Sequence, residues 1–321
     1  MTGSGSEAPL RVGVVGVGSM GRHHARILSG MEQVSLVGVH NHDAGRGAEI
    51  AASAGTRAHA SLGGLLGEGL DAVVVAVPTS AHAEVALACL ERGCAVLVEK
   101  PVAASVPEAE AMVAAARARG LALMVGHVER FNPAMLALKA AVGSERVLAL
   151  HATRASPYPA RLSDVGVILD LGVHDIDLVR WVAGGDLTVA AASAARIAGG
   201  HDDLAMIQLE STRGALAQVH LSWHSPVRVR RFEATTERAL VTADLVTRTV
   251  TRQAASEGGE PAVERIAVGE ADALSAELAE FAAAVREGRD PAITGEAGTA
   301  VLATALACLE RAGQGWGAPP G

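Results

Sequence analysis

The chain has 321 residues, half of them hydrophobic and 19% charged, with a formal net charge of −8. That length suggests about two globular domains, and the acidic balance excludes a general pull toward nucleic-acid backbones or anionic membranes. With three Phe, three Trp and one Tyr, the core must be built from Ala, Val and Leu, and a base-stacking platform is excluded as well.

The opening "MTGSGSEAP" lacks the basic and apolar regions of a signal peptide, so residues 1–9 read as a flexible tail. No apolar run approaches the ~20 residues of a membrane span, and a cytoplasmic location is expected. Cys89, Cys94 and Cys308 are odd in number and show neither metal-ligand nor redox spacing. They read as small core residues in a reducing compartment. No metal is expected.

From Leu10 to Val125, short β-branched runs at 11–17, 34–39, 72–77, 95–98 and 121–125 alternate with Ala-rich helical stretches. Apolar runs of that length, alternating with helices, predict a doubly wound parallel sheet covered on both faces. Behind the first strand comes Gly16-x-Gly18-x-x-Gly21, with Ser19 and Met20 inside the turn. The first glycine permits a tight turn, the second lets backbone approach a pyrophosphate, and the third lets helix pack on strand. A mere tight turn is the alternative; the placement at the first strand of an α/β domain favours dinucleotide binding.

The second strand runs into His40, Asn41, His42 and Asp43. Asn41 occupies the place of the usual acidic ribose ligand. Asparagine can still hydrogen-bond a ribose hydroxyl, and no basic residue appears before Arg46, so NAD is favoured and NADP is not excluded. "VPTSAH" (77–82) follows the next buried strand and brings Pro78, Thr79 and His82 to the cofactor rim, with Thr79 or Ser80 capping the following helix as the plainer reading.

"VEKP" (98–101) ends another such strand, placing Glu99 and Lys100 at the same rim. A lysine partly desolvated there suits proton donation or acceptance; a surface lysine at a strand end is the alternative.

After Gly126 the pattern changes. A helix is predicted within 130–142, opening near Asn132 and Pro133. Strands come next at 146–154, 187–197, 204–210, 215–223, 227–235 and 239–245, and their alternation implies a largely antiparallel sheet. The Pro-containing loop 152–166 carries Arg154, Tyr158 and Arg161; guanidinium forks suit phosphate or carboxylate, although solvated arginines are common. If 163–182 is helical, Asp170, His174, Asp177 and Trp181 form one stripe beside an apolar one of Leu171, Leu178 and Val182. A carboxylate and an imidazole one turn apart read either as catalytic or as a cap network with a core histidine. Helices at 271–287 and 295–312 close the chain, and residues 313–321 read as a second flexible tail.

Together "GVGSMGRHHAR", "VPTSAH", "VLVEKPVA" and "ILDLGVHDIDLVRW", in this order and spacing, resemble the glucose–fructose oxidoreductase / inositol dehydrogenase / MocA family over residues 10–312. The resemblance implies an N-terminal Rossmann domain (10–125) with a doubly wound parallel sheet. It also implies a C-terminal α/β domain (126–312) with an open, mostly antiparallel sheet that binds substrate and makes a homodimer or homotetramer, its C-terminal helices able to pack back on the first domain. The family's Glu-Lys-Pro motif falls on Glu99, Lys100 and Pro101, and its Asp-x-x-x-His pair on Asp170 and His174.

Resemblance thus implies an NAD(P)-dependent enzyme that moves a hydride between nicotinamide and a secondary alcohol of a sugar, sugar nucleotide or cyclitol. Lys100, Asp170 and His174 are then expected to converge beside the nicotinamide. "GHVERFNPA" and the 154–177 segment look most similar to the UDP-N-acetylglucosamine 3-dehydrogenase-like branch, which would put Arg154 and Arg161 near a diphosphate. Redox-driven glycoside hydrolysis, imine reduction and non-catalytic dinucleotide sensing are the alternatives; retention of the lysine and histidine argues against the last.

Overall fold

The computed structural model describes residues 8–159, 165–198, 200–254 and 262–313. Arg161 and most of both terminal tails lie outside them. The chain separates into two compact units, one comprising residues through His127 with Leu274–Thr299, the other Val128–Ala273 with Ala300 onward. Leu274–Thr299, within the stretch expected in the second domain with its C-terminal helices able to pack back on the first, groups with the first unit.

In the first unit, β1 (Leu10–Val15), α1 (Gly21–Leu28), β2 (Val34–His40), α2 (Ala44–Ser53), β3 (Arg57–His59), α3 (Leu62–Leu66), β4 (Ala72–Val75), α4 (His82–Glu91), β5 (Ala95–Glu99), α5 (Val106–Arg119) and β6 (Leu123–Gly126) alternate along the chain. The six strands form one parallel sheet in the order β3-β2-β1-β4-β5-β6. Every residue of β4 and β5 is buried. β3 was not predicted: it is short and largely exposed, with no apolar run to announce it. Helix boundaries obey local chemistry. α5 opens with a reciprocal capping box between Ser105 and Glu108 and closes on the left-handed Gly120.

The second unit contains α6 (Pro133–Val142), β7 (Val147–Ala155), α7 (Val173–Ala183), β8 (Leu187–Ala195), β9 (Leu204–Ser211), β10 (Leu216–Ser222), β11 (Val229–Thr236), β12 (Ala239–Asp244), β13 (Thr249–Ala254) and β14 (Ala262–Ile266). Its sheet runs β14-β13-β12-β11-β7-β10-β9-β8, antiparallel except where β10 lies parallel to β7. One face carries Leu150, Ala152, Ile207, Leu209, Val219, Leu221, Phe232 and Ala234 into the core with α6 and α7. The last two helices are α8 (Ala273–Glu287) and α9 (Gly295–Gly313). α8 belongs to the first unit, where the Val125 amide donates to the Ile293 carbonyl in the loop after it. Val301, Ala305 and Cys308 of α9 enter the second core.

The segment expected as one α-helix over 163–182 begins differently. Ile168–Gly172 is a π turn, and α7 continues directly from it. The wider turn changes the phase of the residues in α7. Asp177 is buried against Arg130, whereas Asp170 and His174 are half-buried. The apolar stripe is as expected: Leu178 and Val182 are core residues and Leu171 packs against that core.

Candidate active site

The glycine turn after β1 is shaped by contacts. Gly16 has φ +84°, a conformation that only glycine adopts without strain, and a Cβ there would lie 2.6 Å from the backbone of Ala76 and Val77. A Cβ on Gly21 would sit 1.7 Å from the Gly16 carbonyl oxygen, so helix and turn meet backbone to backbone. Gly18 has nothing within 4 Å of its missing side chain. Gly18, Ser19 and Met20 are exposed, and α1 has no side-chain cap at Met20. An open glycine beside uncapped first-turn amides is a cradle that fits a pyrophosphate.

At the end of β2 the Asn41 amide is used at both ends. Its Oδ1 accepts from the Val17 amide at 3.1 Å and its Nδ2 donates to the Asp43 carbonyl at 3.2 Å. An aspartate could accept the first bond but not donate the second. The Arg46 Nε donates to the Val17 carbonyl at 3.4 Å and its Nη1 to Glu49 at 2.8 Å. Both predicted ribose-end residues thus brace the glycine turn.

Pro78 is exposed and Thr79 half-buried in a single 3-10 turn, and neither that turn nor α4 has a side-chain cap. The capping role considered for Thr79 and Ser80 is not realised. His82 is 1% exposed, its ring nitrogens 2.9 Å from the Pro101 carbonyl and 3.0 Å from the Val77 carbonyl. Burial pushes its pKa down, and a neutral ring can donate to only one of the two. His82 ties the loop after Lys100 to the loop after β4 rather than lining an open rim.

Glu99 ends β5 and Lys100 follows it. Glu99 shares a 2.7 Å hydrogen bond with Nε2 of His24, a fully buried residue of α1, and accepts the Lys100 amide at 3.2 Å. Burial works to raise the Glu99 pKa, but His24 and Lys100 outweigh it and hold the carboxyl below its ordinary value. Lys100 is half-buried. Glu277 of α8 completes this interior: it is fully buried and neither carboxyl oxygen has a hydrogen-bond partner. Burial first, then the charge of Glu99, pushes its pKa well above the usual carboxylate range. Sequence reading missed both His24 and Glu277; His24 stands three residues after Gly21, but its partner lies 75 residues away.

In the second unit Asp170 is on the π turn and His174 in the first turn of α7, both half-buried, while Asp175 through Val179 are buried without interruption. Arg154, expected at a diphosphate, is 2% exposed. Its Nε and Nη2 take both oxygens of Asp175 at 2.7 and 3.0 Å, and Nη1 takes Glu129 at 2.9 Å. The same Glu129 oxygen accepts from Arg230 at 2.8 Å. Burial works to raise the Glu129 pKa, but the two arginines and Asn132 bring it down. The Arg154 guanidinium is therefore committed to interior carboxylates. Tyr158 is 36% exposed and packs edge-on to Trp223 at 5.6 Å, with His224 at 6.0 Å. Burial pushes the Cys89 and Cys308 thiols up to about 12, which fits inert core residues.

A glycine cradle at the first strand of a sheet ordered 3-2-1-4-5-6 defines a dinucleotide-binding protein. A family profile described as "Oxidoreductase family, NAD-binding Rossmann fold" matches residues 10–127, and one described as "GFO/IDH/MocA C-terminal domain" matches 141–242. UDP-N-acetylglucosamine 3-dehydrogenase of Acidithiobacillus ferrooxidans is 34% identical over 303 residues, 92% of this chain and 95% of that protein. Inositol 2-dehydrogenase 2 of Saccharopolyspora erythraea is 37% identical over 66% of each chain. A solved structure of the Acidithiobacillus enzyme superposes with a TM-score of 0.89 at 32% identity, covering 95% of this chain and 98% of that one. The chain belongs to the GFO/IDH/MocA family of oxidoreductases with an NAD-binding Rossmann fold. Among the described residues, no helix is long and apolar enough to cross a membrane.

Two measurements check the interior charges. Removing Arg154 leaves the buried Asp175 without its guanidinium and Glu129 with only Arg230 and Asn132, so Arg154→Met should lose roughly 3–5 kcal/mol of stability in urea denaturation; a substrate ligand would instead raise KM in a normally stable protein. For Glu277, below about pH 4 folded and unfolded chains both hold the proton. As pH rises the unfolded chain releases it and the folded chain does not, so stability declines until the raised pKa is passed. Glu277→Gln removes this slope, and its Tm should fall less steeply than wild type between about pH 5 and pH 8.

Proposed function

We propose that the protein oxidises a secondary alcohol of a sugar nucleotide, with Lys100, Asp170 and His174 serving one reaction. The observation that carries this reading is the half-exposure of Asp170 and His174 at the head of an otherwise buried helix. A carboxylate one turn from an imidazole is a general-base arrangement. A sugar nucleotide is favoured over a cyclitol because the similarity to the UDP-N-acetylglucosamine enzyme spans 92% of the chain and that to the inositol enzyme 66%.

When bound, the nicotinamide supplies the hydride acceptor. Among the chain's own groups, His174 takes the hydroxyl proton on its imidazole ring. Asp170 orients the imidazole and stabilises it when charged. The Lys100 ammonium donates a hydrogen bond to the oxygen as negative charge develops there. The Glu99 carboxylate, held by His24 and by the Lys100 amide, fixes the base of that side chain. A cytoplasmic homodimer or homotetramer built through the open sheet of the second unit belongs to the same reading.

Absorbance at the NADH band, with NAD and separately UDP-N-acetylglucosamine, myo-inositol and glucose, tests the substrate. Reduction with the UDP-sugar is expected; turnover confined to inositol would overturn the substrate, and none at all would favour a dinucleotide-sensing regulator. Lys100→Met and His174→Gln should each lower kcat by about 10²–10⁴ while NAD still binds. Near-normal turnover in either removes that residue from the mechanism.

A further inference from the structure

We propose that Asp202, paired with Gly166, is the positioning residue that sets the π turn and hence the placement of Asp170 against His174. The inference rests on the reading of that pair as catalytic and adds what holds it. The first amides of a helical segment lack partners within the segment. Here two consecutive ones are met from outside: the Val167 amide donates to the Asp202 carbonyl at 2.7 Å, and the Ile168 amide to the Asp202 Oδ2 at 3.0 Å. One residue, 34 positions further along the chain than Ile168, thus supplies both acceptors. A negative carboxylate is also the favourable charge at the start of a helix.

Gly166 makes room for it. A Cβ at that position would lie 1.8 Å from the Asp202 Oδ1 and 2.3 Å from its Cγ, so any other residue would displace the carboxylate. The Gly166 carbonyl in turn accepts the Asp170 amide at 3.0 Å. Gly166, Asp202, the Ile168 amide and the Asp170 backbone therefore form one continuous set of contacts.

Asp202 is itself anchored by its neighbour. The Asp203 amide donates to the Ala195 carbonyl at the end of β8, and its carbonyl accepts the Trp223 amide just beyond β10, both at 2.9 Å. Its buried carboxylate accepts the Ile197 and Ala198 amides and lies 3.1 Å from Nε2 of His224. Adjacent aspartates thus divide the work, Asp203 gripping the sheet and Asp202 reaching from it to the turn. A π turn carries one residue more than an α-helical one, and a fixed acceptor at its start selects that winding. Without it, the segment is free to relax toward α-helix, which would rotate Asp170 relative to His174.

The test uses Asp202→Ala, Gly166→Ala and the conservative Asp202→Asn, with Val241→Ala, a second-unit core substitution remote from the turn, as stability control. UDP-N-acetylglucosamine with NAD is the assay pair. Asp202→Ala and Gly166→Ala should lower kcat about 10- to 100-fold, as a small misplacement of reacting groups does, with KM for the sugar nucleotide within about twofold. Asp202→Asn, whose amide oxygen still accepts, should recover most of the rate.

Amide hydrogen exchange at Val167 and Ile168, and the His174 ring shift at fixed pH, read the turn without turnover. Both should change in Asp202→Ala and stay as wild type in Val241→Ala. If exchange and ring shift are unmoved in Asp202→Ala, or its kcat matches that of Val241→Ala, the positioning role is refuted. If Asp202→Ala does not fold, the same readouts on Gly166→Ala decide it. Wild-type turnover in Asp170→Asn and His174→Gln would remove the catalytic reading instead, with the exchange result standing by itself.

Discussion

A parallel strand buried on both faces can offer a ligand only what lies at its end. β4 and β5 are buried at every position, so chemistry in the first unit is confined to the turns at the ends of the strands. That constraint explains the glycines after β1, where backbone must turn at once into a helix and leave open space. It also explains Glu99 and Lys100, which stand where the last apolar residue of β5 gives way. The carboxylate turns inward to His24 and the ammonium belongs to the next residue, which is only half-buried. Two neighbouring residues thus differ in surroundings, the last residue of the strand buried and the one just beyond it half-buried.

Charge is taken into both interiors, and in each the number of partners decides what is tolerated. Arg154 lies between Asp175 and Glu129, and Glu129 also accepts from Arg230 and Asn132, so the group is nearly neutral and densely bonded. Such a network is not obviously more stable than an apolar core of the same volume, but losing one member is severe. It ties β7 and β11 to α7 and to the turn before α6. Glu277 is the contrasting case, a carboxyl with no donor in reach, and burial leaves it in the neutral form.

How much was legible depends on how local each signal is. The five long strands of the first unit, the glycine turn and the Asn132 start of α6 are written in short stretches, and the structure has them within a residue or two. β13 and β14 were not legible, since their outer residues are polar on both sides and β14 is exposed almost throughout. The helix over 163–182 was half legible: its apolar stripe is correct, but its first turn is wound by acceptors from residue 202, which no local pattern reports. Arg154 was misread for a related reason. An arginine in a Pro-containing stretch looks solvent-exposed until the register of β7 turns it toward α7.

The sequence by itself determined the fold class, the family and the residue types at the working positions, because those rest on periodicity and on motifs a few residues long. Only the tertiary structure decided which charged groups face outward and which are consumed inside. It also decided that His82 clamps a loop, that Glu99 is held by His24, and that Asp202 reaches the turn bearing Asp170. These are pairings across tens of residues, and their energies depend on burial and distance, which come into being only when the elements pack.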